Sequence, residues 1–213
     1  MPSVLKDAIR ESLHQAFADE NIDDKIFAVR SSACGEDSEE TSAAGQMTTY
    51  LGVKGLNNIC ASVMKCWASQ FGNIAVEYKR GYGQLINAPM AVVIQEIVDC
   101  DVAGVMFTCD PMTGDEREII LTANYGLGES VVSASAEPDT ITLDVDKQKN
   151  VVRGVKKIVI GGKSTVIKIS NDEQQESCGT VETKMSDDEC KKCCLDELLA
   201  MHIGQIGLTV SLP

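Results

Sequence analysis

The chain has 213 residues, 44% of them hydrophobic, which is enough for one domain or two small lobes around a real core. Its 32 acidic and 19 basic side chains leave a net charge of -13. This argues against a nucleic-acid partner, because contact with a phosphate backbone needs clustered Lys and Arg to replace released counterions. Nothing near Met1 reads as a signal peptide and no apolar run approaches the roughly 20 residues that span a bilayer, so no membrane association is expected and the cytoplasm is the expected compartment. Nine cysteines, an odd count without an export signal, read as reduced thiols rather than a disulfide framework.

From Ser3 to Ala18, apolar residues at helical spacing (Val4, Leu5, Ala8, Ile9, Leu13, Ala16) predict an amphipathic helix. Lys25 to Val29 reads as a short strand that runs into Arg30-Ser31-Ser32 and a polar loop ending at Gly45-Gln46. Gly55 to Tyr82 carries helical periodicity through Leu56, Ile59, Val63, Trp67, Phe71 and Val76 and predicts the longest helix. Three β-branched runs follow, Met90 to Val98, Ala103 to Thr108 and Glu118 to Ala123, and predict a mixed or antiparallel sheet. Thr140 to Val145 and Val151 to Ile160 read as a hairpin, with Thr165 to Ile169 as a further strand. Ser170 to Thr183 reads as a polar loop, and Ser186-Asp187-Asp188-Glu189 as a capping box that opens a terminal helix to about Ile206.

Four constellations offer chemistry, each with an ordinary alternative. Arg30-Ser31-Ser32 follows a strand, where a planar guanidinium fork and two hydroxyls suit phosphate oxygens; the plainer reading pairs Arg30 with Glu36 or Asp37 in a surface loop. Ala43 to Thr49, with Gly45, Gln46, Thr48 and Thr49, can bring backbone N–H groups close to phosphates, though it lacks the ending of a Walker A loop and also reads as a flexible connection. Ala91 to Val98 ends an apolar run in Gln95-Glu96-Ile97-Val98, where an adenine ring has a wall and edge groups; a plain buried strand reads the same way. The fourth runs from Ala103 to Asp115 and on through Tyr125 to Val132 and Glu137-Pro138-Asp139; taken separately, these read as an ordinary strand, turn and Gly-rich loop.

In order and spacing, these motifs resemble the AMP/ATP-binding, ATP-grasp domain of the pyruvate phosphate dikinase and phosphoenolpyruvate synthase family, across roughly Ile26 to Leu143. The carrying residues are Val29-Arg30-Ser31-Ser32-Ala33 with Glu36-Asp37, Ala44-Gly45-Gln46 with Thr49-Tyr50-Leu51, Val93-Ile94-Gln95, Gly104 to Thr108 with Asp110-Pro111, and Gly126 to Glu129 with Pro138-Asp139. The resemblance implies an α+β, ATP-grasp-like fold, a mixed or antiparallel sheet flanked by helices, in an incomplete domain. Residues 1–170 would form the nucleotide-binding region, and 171–213 a polar loop and terminal helix of the same domain.

It implies that Arg30, the candidate catalytic residue, contacts the nucleotide phosphates with Ser31. Gly45, Gln46, Thr48 and Thr49 would form the phosphate loop, and Gln95, Glu96, Ile97 and Val98 would receive adenine. Glu129 either faces the nucleotide or braces the glycine loop. ATP and Mg²⁺ are the implied cofactors, with the metal ligands outside this chain. A phosphohistidine swivelling domain and an acceptor domain are the implied partners in a longer parent.

Two departures bear on this. Ala134 stands where relatives carry Gly, which stiffens the loop if φ must be positive there. The family's Gly-Gly-Lys region is expected before residue 1, and its Asp-Ile-Glu-Trp and Gln-Ser-Arg-Pro motifs after residue 213, so that a shell built for phosphoryl transfer is incomplete within these residues. A non-catalytic nucleotide-binding or interaction protein is therefore the rival reading. Cys190, Cys193 and Cys194 have half the spacing of a zinc site, yet at i, i+3 and i+4 they also fit one buried helical face, and no metal site is assigned. His14 and His202 fall in predicted helices without the surroundings of a phosphate carrier.

Overall fold

The computed structural model describes residues 1–17, 21–33, 37–38, 41–42, 48–133, 136–170 and 179–211. It divides into two compact units, Met1–Val98 with Ile169–Thr180, and Asp99–Lys168 with Val181–Pro213.

In the first unit, α1 (Ser3–Ala16) leads through a 3₁₀ turn at Ile22–Asp24 into β1 (Ile26–Ala33). Two short segments, β2 (Asp37–Ser38) and β3 (Thr41–Ser42), pair with each other, and β4 (Thr49–Lys54) then returns to β1. Two helices, α2 (Leu56–Ser69) and α3 (Asn73–Gly81), precede β5 (Met90–Glu96). The sheet order is β4-β1-β5, antiparallel throughout. Its core gathers Leu13, Ile22, Phe27, Val29, Val53, Ile59, Val63 and Cys66, so α1 and α2 cover one face of the sheet. Phe27 and Val29, two residues apart in β1, supply the inward side of the period-2 alternation.

The single helix expected over Gly55 to Tyr82 is two helices. The amides of Phe71 and Gly72 bond three residues back, to the carbonyls of Ala68 and Ser69, and Gly72 takes an extended ψ of 152° before α3. Glycine weakens a helix interior and tolerates such a break. The apolar spacing resumes in phase beyond it, which hides the break in the sequence.

The second unit is built on β6 (Val102–Phe107), β7 (Glu118–Tyr125), a short α4 (Glu129–Val132), β8 (Asp139–Asp146) and β9 (Val151–Val159). These strands form an antiparallel sheet in the order β6-β7-β8-β9, separate from the sheet that contains β5. β10 (Thr165–Ile169) pairs with β11 (Thr180–Lys184), so the expected loop ends in a strand. α5 (Asp187–Cys190) and α6 (Glu197–Val210) follow. Alternate residues of β7 and β8, namely Ile119, Leu121, Ala123, Ile141, Leu143 and Val145, meet Ala200 and Leu208 of α6 in the core.

The capping box at Ser186 is present: the amide of Glu189 donates to the Ser186 hydroxyl and the Glu189 carboxylate accepts from the Ser186 backbone. The terminal helix it was expected to open is again two pieces, because Asp196 caps α6 afresh by accepting from the Leu199 amide at 2.8 Å. Among the described residues, no helix is long and apolar enough to cross a membrane.

Candidate functional site

Strand alternation sorts the side chains of β1. Phe27 and Val29 point to the helices, and Ala28, Arg30 and Ser32 point to the opposite face. Residues directly opposite in an antiparallel pair share a face, so the register carries this sorting to both neighbours. Arg30 stands opposite Thr49 of β4 and Val93 of β5, while Ala28 faces Gln95 and Ser32 faces Ala91. One face of this sheet therefore presents Arg30, Ser32, Thr49, Val93 and Gln95. Gln95 is a diagonal neighbour of Arg30, on the order of 7–8 Å away between α-carbons. Arg30, Ser32, Thr49 and Gln95 are exposed, and Val93 keeps 47% of its surface open. Among the described residues, the Arg30 guanidinium has no hydrogen bond or ion pair.

Among the described residues, β5 is an edge strand, paired to β1 alone. The Ile97 amide donates to the Ile26 carbonyl at 2.8 Å, which fixes the phase of the ladder. Residues 95 and 97 turn their backbone groups toward β1, and 94 and 96 turn theirs outward, because the two kinds of pair alternate along an antiparallel ladder. The Glu96 carbonyl thus lies on the edge away from β1, and Val98 follows two residues past the end of the strand. Val98 is 76% exposed.

The other expected site residues are distributed as follows. Ser31 pairs with Val92, whose side chain packs on the helix-covered core, so Ser31 lies on the face opposite Arg30 and Ser32 shares the guanidinium's side. The Glu96 carboxylate also lies on the helix side, where it pairs with Lys25; Lys25 in turn sits 4.7 Å above the Phe17 ring. Thr48 is exposed and immediately precedes β4. Gly45, Gln46 and the departure at Ala134 lie outside the described residues. Glu129 is in the second unit, exposed at the start of α4, with its carbonyl accepting from the Ser133 hydroxyl at 2.7 Å.

The second unit spends its conspicuous polar groups internally. Asp139 and Lys163 are both fully buried and form an ion pair. Asp139 also accepts from the amides of Gly161 at 2.9 Å and Cys194 at 2.7 Å. Burial by itself raises the Asp139 pKa, but the Lys163 ammonium and these two amides outweigh it and hold the carboxyl below its usual range. Gly161-Gly162-Lys163 is thus a Gly-Gly-Lys triplet whose ammonium is committed to a carboxylate inside the fold.

Asn124, also fully buried, donates to the Ser130 hydroxyl at 3.0 Å and the Thr165 carbonyl at 3.4 Å. The Leu127 amide donates to the Ile167 carbonyl at 2.8 Å, so the loop from Gly126 to Glu129 is tied down from both sides. None of these buried residues was singled out for its burial in the sequence, where a lysine after two glycines looks like a solvated loop.

The three late cysteines do not share a helical face. Cys190 ends α5 and donates its thiol to the Lys163 carbonyl at 3.0 Å, and Cys193 and Cys194 lie in the turn before α6, packed on the core. Burial, and then the neighbouring Asp139 carboxylate, push the Cys194 thiol up to about 12. Among the described residues, no group of three or more His, Cys, Asp or Glu side chains is placed to hold a metal ion. His14 and His202 are exposed on α1 and α6.

The two antiparallel sheets with helices packed on them define an α+β protein of ATP-grasp-like class. The sequence matches the pyruvate phosphate dikinase, AMP/ATP-binding domain, over residues 1–211, and the chain belongs to that family. It is 36% identical to a probable phosphoenolpyruvate synthase of Methanocaldococcus jannaschii across 99% of this chain and 17% of that protein. It is 32% identical to an uncharacterized phosphotransferase, YvkC, of Bacillus subtilis across 94% of this chain and 23% of that protein. With the prodigiosin synthesizing transferase PigC of Serratia marcescens it shares 42% identity across 68% of this chain and 15% of that protein. The chain thus spans less than a quarter of the length of these relatives.

Proposed function

We propose that this chain binds ATP on the open face of the β4-β1-β5 sheet, as the nucleotide-holding part of a dikinase-type phosphotransferase. In that reaction phosphate passes from ATP to a carrier histidine of a swivelling domain, and then to pyruvate or another acceptor. The observation that carries the reading is Arg30: an exposed guanidinium with no partner among the described residues, opposite Thr49 and diagonal to Gln95, on a face that the helices leave uncovered. An arginine in the central strand of a sheet with no carboxylate beside it among the described residues is available to a ligand anion, and its planar fork suits phosphate oxygens.

The roles divide along the sheet. Arg30, with the hydroxyls of Ser32, Thr48 and Thr49, binds the phosphate chain and orients it. Val93 and Ile97 offer the adenine ring an apolar surface. The Glu96 carbonyl accepts from the adenine amino group, and the Val98 amide donates to a ring nitrogen. Bound ATP supplies the phosphoryl group, and Mg²⁺ with it neutralises charge on the phosphates. The residues fit the nucleotide better than the metal, since the polar groups on this face are a cation, hydroxyls and an amide, which bind anions.

Equilibrium binding of ATP and GTP to the 213-residue chain, with and without Mg²⁺, tests the reading. Binding of ATP in preference to GTP is the expected result. A folded sample with no detectable affinity at millimolar ATP would contradict it.

A further inference from the structure

We propose that the buried thiol of Cys66 is a positioning group that sets the phosphate end of this site; the proposal rests on the nucleotide reading above. Cys66 lies on α2 and is fully buried under the sheet. Its Sγ is 3.6 Å from the Val29 carbonyl and 3.6 Å from the Thr48 carbonyl. Val29 immediately precedes Arg30, and Thr48 immediately precedes Thr49. Arg30 and Thr49 are themselves partners across the two strands, with side chains on the far face. One thiol hydrogen shared between two carbonyls therefore bridges the seam directly beneath the two groups assigned to the phosphates.

The place matters because the ladder is weak there. The β1–β4 register shifts between Phe27 and Val29, and its last pair is Arg30 with Thr49. Thr48 lies one residue beyond that end, past the last ladder pair among the described residues, and the thiol reaches it from the helix side. A buried cysteine is by default a small apolar filler. This one differs in having both carbonyls of the seam within reach, and burial raises its pKa, so the thiol keeps its proton as a donor. The thiol does no chemistry; it acts through the backbone it holds.

Cys66→Ala and Cys66→Ser in the 213-residue chain test this, through the affinities for ATP and for adenosine and the amide exchange of Thr48 and Thr49 without ligand. A weak S–H···O bond corresponds to a factor of about three in an equilibrium constant. Cys66→Ala is therefore expected to weaken ATP about threefold while leaving adenosine unchanged, and to speed exchange at Thr48 and Thr49 relative to Phe27 to Val29. Cys66→Ser, which keeps a donor, should recover part of both effects. An unchanged ratio of ATP to adenosine affinity, including an equal loss of both alongside lower stability, would assign Cys66 to the core alone and overturn the proposal. Should the unsubstituted chain bind neither ligand, the nucleotide reading fails by itself. Amide exchange then decides the clip, and identical exchange in Cys66→Ala overturns it.

Discussion

Arg30 and Lys163 are two cations in two units, and they have opposite fates. Lys163 is fully buried on Asp139, and the same carboxylate gathers the amides of Gly161 and Cys194, so three segments of the second unit are tied at one point. Arg30 is exposed on a sheet face with hydroxyls and an amide for company and no carboxylate among its described neighbours. Desolvating a charge is tolerated only when a partner and further hydrogen bonds compensate, so the buried pair is accounted for by the fold. The solvated guanidinium asks for nothing from the fold, and its value lies in what it can bind. Burial with complete satisfaction marks structure; exposure on an otherwise ordered face marks a site.

Substitutions at Asp139, Gly126, Ser186 and Arg30 probe that contrast, in order of decreasing effect on stability. Asp139→Ala leaves the Lys163 ammonium buried without its counter-charge and should cost about 3–5 kcal/mol in chemical denaturation. The double change Asp139→Leu with Lys163→Met should cost much less than the sum of the single ones. Because the folded Asp139 carboxyl is held below its unfolded value of about 3.9, its contribution is fully present above that pH and is lost as the pH falls below it. An Asp139→Asn variant whose stability falls with acid below about pH 3.9 just as the parent's does would break the contrast.

Gly126→Ala is next. Gly126 has φ of +73°, and a Cβ there would lie 2.3 Å from the Ile167 carbonyl oxygen, so a loss of about 1–3 kcal/mol is expected by thermal or chemical unfolding. Ser186→Ala removes one half of the capping box and should cost about 1 kcal/mol. Arg30→Met should change stability by no more than about 0.5 kcal/mol, as expected of an exposed residue without a partner among the described residues.

Much of this fold was legible in the sequence, for identifiable reasons. β1 shows as a short apolar run, β7 and the β8–β9 hairpin as β-branched runs around polar turns, and the Ser186 cap as a hydroxyl and carboxylate three residues apart. The breaks at Gly72 and at Cys190 to Asp196 were not, because the apolar phase continues across the first and the second separates a single-turn helix from the long α6 that its cap reads as opening. Assigning Met90 to Val98 to the same sheet as the later strands failed for a different cause: strand pairing is long-range, and β5 pairs with β1 some sixty residues earlier in sequence, as Arg30 opposite Val93 shows. At the site, period 2 alone would have chosen Ser32 over Ser31 as Arg30's neighbour. That Asp139 and Lys163 form a buried pair, and that Cys66 lies beneath the β1–β4 seam, are facts of tertiary packing with no local signature.

The account stands most directly on the ATP affinity of Arg30→Met against the unsubstituted chain, with both samples shown to have the same unfolding midpoint. Losing a hydrogen-bonding charge to phosphate should weaken ATP by a factor of about ten or more while adenosine is unaffected. Equal ATP affinity in the two proteins would contradict the central claim that this solvated guanidinium is held in place for a nucleotide phosphate.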